Sequence, residues 1–86
     1  MGGVHYVVKC EKTVFDGSRE LSGQACHNDL LIRIERGAHE SMEDTFFHEV
    51  VHCISTVFHI GITEEQTCTL GPALHAFLKD NRLLRE

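Results

Sequence analysis

Residues 41–59 read SMEDTFFHEVVHCISTVFH, and this stretch decides the second half of the fold. Ser41 followed three residues later by Asp44 is close to a capping box, and Glu43 and Asp44 suit the positive end of a helix. Apolar residues then recur at helical spacing as far as Phe58. Phe46, Phe47, Val50, Val51, Ile54, Val57 and Phe58 cover two adjoining faces, so most of the helix circumference is expected to be buried. One stripe is not apolar. His48, His52, Ser55 and His59 follow at spacings of four, three and four, along a single line of the helix.

A polar line on an otherwise buried helix needs a reason, and zinc chemistry supplies one. Two imidazoles four residues apart are separated by about one turn, roughly 6 Å of rise, and can converge on one tetrahedral ion. Glu49 falls beside them, close to such an ion without ligating it, where its carboxylate can take a proton from a water whose pKa the metal lowers. His48, Glu49 and His52 therefore form an HExxH motif with a metal pair and a base. The plain alternative, satisfied core histidines and a solvated glutamate, requires several polar side chains to be buried without partners, which is costly.

Outward from this helix toward the carboxyl end, Gly61 is a natural stop, and Thr63-Glu64-Glu65-Gln66 is a second capping box. It opens a helix expected to run to about Lys79, with Asn81 beyond it and Arg82 and Arg85 near its negative end. Pro72, after Gly71, cannot donate to the carbonyl four residues earlier, and a break is predicted there. A catalytic zinc needs a third protein ligand, and Glu64 and Glu65 are the candidates. Glu64 is favoured because it shares a face with Thr67, Gly71, Leu74 and Leu78, whereas Glu65 lies with Lys79. His59 and His75 lie about 10 and 16 Å along their helices from the nearest ligand and read as ordinary side chains. Cys68, one turn past Glu64, is a conceivable soft ligand, with a buried thiol the plainer reading. His5, His27, His39 and Tyr6 are candidates for a transition-state hydrogen bond, and the sequence does not choose among them.

Toward the amino end the period changes to two. Val4, Tyr6, Val8 and Cys10 fall on one side of an extended segment, Asp16-Gly17 is a turn signal, and a second strand is expected over about Leu21 to His27. Asn28-Asp29 turns into Leu30 to Glu35, where Leu30, Ile32 and Ile34 point one way and Leu31, Arg33 and Glu35 the other. The expectation is α+β: a small antiparallel three-stranded sheet, then the HExxH helix, then the glutamate helix.

With 86 residues, residues 1–86 are expected to form one domain with a modest core. A formal charge of −5 and eight scattered Lys and Arg disfavour nucleic-acid binding. No apolar run approaches the roughly 18 residues of a membrane span, and no secretory signal pattern opens the chain, so a cytoplasmic location is expected. Cys10, Cys26, Cys53 and Cys68 form no CxxC pair and read as buried free thiols.

The order of strands, HExxH helix and glutamate-bearing helix resembles the minimal gluzincin metallopeptidases, or minigluzincins, and small phage-encoded relatives. The resemblance is closest over Leu30 to Asn81, where IRIERGAHESMEDTFFHEVVHCIS and GITEEQTCTLGPALHAFLKDN look like that family's edge strand, active-site helix and glutamate helix. It implies a zincin-like minimal core, Zn2+ held by His48, His52 and Glu64, and Glu49 as general base in peptide-bond hydrolysis. A peptide or protein substrate is then expected to add as a strand along the edge formed by Leu30 to Ile34. The chain departs from the pattern in the Gly71-Pro72 interruption of the glutamate helix, and it shows no obvious downstream Tyr or His motif of the kind larger gluzincins use to stabilise the oxyanion. The rival reading is a non-catalytic phage-type interaction or inhibitor module that retains a structural or vestigial zinc site.

Overall fold

Ile32 and Ile34 alternate with Arg33 and Glu35, and this pattern becomes a strand with one face in the core: the two isoleucines are 2% and 3% exposed. That strand is the fifth of five in the computed structural model, which describes residues 3–37 and 39–84. The elements run β1 (Val7–Glu11), β2 (Val14–Asp16), β3 (Arg19–Leu21), β4 (Gly23–Cys26), β5 (Leu31–Glu35), α1 (His39–Val57) and α2 (Glu64–Asp80). The α+β class is as expected. The sheet is not: β1, β5 and β4 form a mixed sheet in that order, with β1 parallel and β4 antiparallel to β5, while β2 and β3 pair as a separate hairpin. A period of two reports which face is buried and is silent about the direction of pairing. Here the hairpin and β4 lie between β1 and β5, a connection long enough to bring the chain back in the same direction.

This order corrects a second expectation. Leu31 to Ile34 is not an edge: both of its sides are paired, to Val7–Cys10 and to Gly23–Cys26. Leu30 does not belong to the strand and is exposed, with a positive φ of 52°. The edges of the sheet are β1 and β4. On the outer side, Arg33 ties the strands together through Glu11 (2.9 and 3.1 Å), Gln24 (3.1 Å) and the Phe15 carbonyl of the hairpin (3.4 Å). The inner side meets α1, where Ile32, Ile34 and Cys53 are packed with Tyr6, Ala25, Met42, Phe46 and Val50.

α1 begins at His39, two residues before the anticipated cap, so Ser41 and Asp44 lie inside the helix and Glu40 is its first-turn acid. It also ends differently. His59, not Gly61, takes the left-handed position that closes the helix (φ 55°), with the Ile60 amide donating to the Ser55 carbonyl at 3.0 Å. Gly61 follows in the loop with φ 76°.

The second capping box is formed as read: the Thr63 hydroxyl accepts from the Gln66 amide and the Gln66 side chain accepts from the Thr63 amide. α2 then runs through Pro72 without the expected break. Proline removes the bond to the Cys68 carbonyl, but both residues lie on the exposed side of the helix, where water can satisfy that oxygen. The opposite side packs on α1 through buried Thr67, Gly71 and His75. The cysteines are free thiols, yet only Cys53 is buried; Cys10 and Cys68 are exposed and Cys26 is half-buried. No helix among the described residues is long and apolar enough to cross a membrane.

Candidate metal centre

His48 and His52 stand one turn apart on α1, both half-buried, and the spacing brings their rings edge to face with centroids 4.9 Å apart. Their Nε2 atoms are 3.2 Å from each other. The reversal between the helices delivers Glu64 to the same point. Ser55, in the polar line of α1, accepts a hydrogen bond from the Ile62 amide at 2.8 Å and pins the returning loop one residue before the Thr63 cap. Glu64 is the first residue of α2, and its carboxylate reaches both imidazoles: Oε1 lies 3.0 Å from His48 Nε2 and Oε2 lies 2.8 Å from His52 Nε2.

Four lone-pair-bearing atoms therefore face one small space. A neutral imidazole that carries its proton on Nε2 can donate to the carboxylate, and a metal ion can be held by the same atoms when the ring protons are on Nδ1. The spacing suits a metal: an ion bound tetrahedrally by bonds of about 2.0–2.1 Å has ligand-to-ligand edges of about 3.3 Å. His48, His52 and Glu64 form a group of potential ligands with all three donor atoms within 4.8 Å of one another. The Glu64 side chain is 65% exposed, so the group is open to solvent on that side.

Glu49 is buried, 8% exposed, and faces β4 rather than solvent. Burial raises its pKa, opposed by the adjacent His52 and His48, reinforced by the Glu64 charge, and opposed by a hydrogen bond from the Ala25 amide. Gly23 makes this close approach possible. A Cβ there would lie 2.5 Å from the Thr45 side chain and 3.5 Å from Glu49 Cγ. Gly71 does the same between the helices, where a Cβ would meet the His48 backbone at 3.0 Å. Beside His48 and Glu49 opens a cleft of about 360 Å3, walled by Leu21, Ser22, Gly23, Asp44, Thr45 and Pro72.

The remaining candidate residues are not among the three converging groups. Glu65 takes no part in the His48–His52 group. The Cys68 thiol donates weakly to Glu64 Oε1 at 3.8 Å and is not one of the three converging groups. Tyr6 and His27 bond each other at 3.1 Å, and His27 continues to Thr56 at 3.3 Å. Tyr6 also bonds the buried Cys53 thiol, and burial raises the pKa of both groups. His5 is exposed, and the His39 side chain lies outside the described residues.

His75 is not the ordinary side chain its distance from Glu64 suggested. It is 4% exposed, stacks on Phe47 with centroids 5.2 Å apart, and pairs through Nδ1 with Asp44. Its face was legible, because 64, 67, 71 and 75 follow helical spacing; its partner on the other helix was not. Comparison of the chain with protein-family models, curated proteins and solved structures finds no match.

Proposed function

We propose that the chain is a zinc-dependent metallopeptidase in which His48, His52 and Glu64 hold the ion and Glu49 is the general base. The observation that carries this reading is the meeting of two imidazole Nε2 atoms and one carboxylate, 2.8–3.2 Å apart, next to a buried glutamate. Bound zinc would supply Lewis acidity toward a peptide carbonyl and lower the pKa of a water molecule.

Glu49 accepts the proton of the attacking water at its carboxylate and returns it to the leaving amide nitrogen. Its burial, which raises the pKa, favours holding that proton between the two steps. The Ala25 amide orients the carboxylate from the strand side.

The substrate strand belongs on β4. The Ser22 carbonyl accepts from Glu35, so with a period of two Gln24 and Cys26 pair inward to β5 while Gly23 and Ala25 turn their backbone groups outward. The Ala25 amide is engaged by Glu49; in this register the Gly23 amide and the Gly23 and Ala25 carbonyls would be the groups that pair with an extended peptide.

The test is cleavage of a fluorogenic peptide library by the zinc-loaded protein beside Glu49→Gln. Cleavage by the parent that falls at least about a hundredfold in Glu49→Gln, with zinc retained, is expected. Equal cleavage by both proteins rules out the base; zinc binding without turnover of any peptide favours the non-catalytic module.

A further inference from the structure

We infer that Asp44, held by His75, is a specificity-determining residue that selects a basic side chain next to the scissile bond. The inference rests on the peptidase reading and names the substrate class of that same site.

Asp44 stands one helical turn before His48, and both line the same cleft, with Glu49 and Thr45 one turn apart beside them. The distance along the helix, about 5–6 Å, is the reach of one extended Lys or Arg side chain from a backbone lying at His48. The other walls, Leu21, Ser22, Gly23 and Pro72, carry no charge. An aliphatic stem can lie against Leu21 and Pro72 while its cationic head meets Asp44.

His75 leaves Asp44 able to do this. It engages Oδ1 through Nδ1, from a buried and stacked position, and the Asp44 side chain remains 54% exposed. The other face of His75 looks to Glu43 Oε1 at 3.6 Å. The contact takes one carboxylate oxygen of Asp44 and leaves Oδ2 to the cleft, so the pairing orients Asp44 without occupying the whole carboxylate. Among the described residues no Lys or Arg lines the cleft to compete.

The experiment uses matched peptides that differ only in the residue flanking the cleaved bond: Arg or Lys, the neutral isostere Gln or norleucine, and Glu. The zinc-loaded parent is expected to prefer the basic peptides by roughly tenfold in kcat/KM, the scale of a charge-assisted contact at a half-exposed site. Asp44→Asn is expected to abolish the ratio. Because Asp44→Asn also alters the His75 pair, Ser22→Lys is the second variant: it places a cation on the opposite wall, leaves that pair intact, and is expected to suppress the basic preference too. Turnover by the parent without charge preference, or a preference that survives both variants, overturns the inference and leaves the peptidase reading standing. Binding of the same peptides to zinc-loaded Glu49→Gln separates the two claims. Charge-selective binding lost with Asp44→Asn, without turnover by the parent, upholds the cleft and sinks the peptidase; absence of selective binding and of turnover overturns both.

Discussion

Gly71 of α2 lies directly on the backbone of His48 of α1: a Cβ at position 71 would sit 3.0 Å from the His48 Cα and 3.1 Å from its nitrogen. A close approach of the two helices thus falls at a proposed ligand, two turns along α2 from Glu64.

Gly71→Ala should therefore push the helices apart by a few tenths of an ångström. Overpacking costs about 1–3 kcal/mol and outweighs the gain of about 1 kcal/mol from replacing a helical glycine. Reduced stability in urea melts, together with weaker zinc binding in a competition titration, is expected. A more stable variant with unchanged zinc affinity would show that the approach is not needed to set the site.

Zinc itself should bind at about one ion per chain and raise the melting temperature, by about 4 kcal/mol of stabilisation at a thousandfold excess over Kd. Metal analysis after dialysis should find the ion lost in His48→Ala and strongly reduced in Glu64→Ala. Glu65→Ala is the control and should retain it. Loss in Glu65→Ala with retention in Glu64→Ala would exchange the two glutamates.

Thr63→Ala should act on the metal through the backbone. The cap contributes about 1 kcal/mol, and Glu64 is the residue immediately after it, so fraying of that turn releases the carboxylate. The expected outcome is a modest loss of stability in the metal-free protein and a further loss of zinc affinity, read by calorimetric titration. Unchanged affinity would mean that the loop pinned by Ser55 is sufficient.

The Glu11–Arg33 pair predicts a pH dependence away from the site. The Arg33 hydrogen bond holds the Glu11 carboxyl below its ordinary value of 4.5. A depressed carboxylate pKa means that the folded state favours the ionised form, so its stabilisation is present above the unfolded value and is lost as pH falls through the folded one. Glu11→Gln should be less stable than the parent at neutral pH, and the gap should close as the pH falls below 4.5 and through the depressed folded value. A gap that persists at acid pH would assign the effect to packing of the guanidinium.

Much of this protein was legible in one dimension because the relevant physics is local. The four-residue step from His48 to His52 places both rings on one line of any helix; the Thr63–Gln66 box needs only its own backbone; Ile32 and Ile34 declare their face by alternation. Helix termination was less legible, since His59 took a left-handed position usually held by glycine and Pro72 was tolerated where the freed carbonyl faces water. The rest was decided by tertiary structure. Which strands pair, and in which direction, depends on how β5 returns beside β1 after the hairpin and β4, and this puts β1 and β4, not Leu30–Ile34, at the edges of the sheet. That Glu64 rather than Glu65 meets the two imidazoles depends on the interhelical loop and on Gly71. The placing of the Ala25 amide on Glu49, and of His75 on Asp44, joins groups from different elements. Periodicity specifies the face of an element, whereas a site is made where faces meet, and those meetings are set by packing over distances that no local spacing encodes.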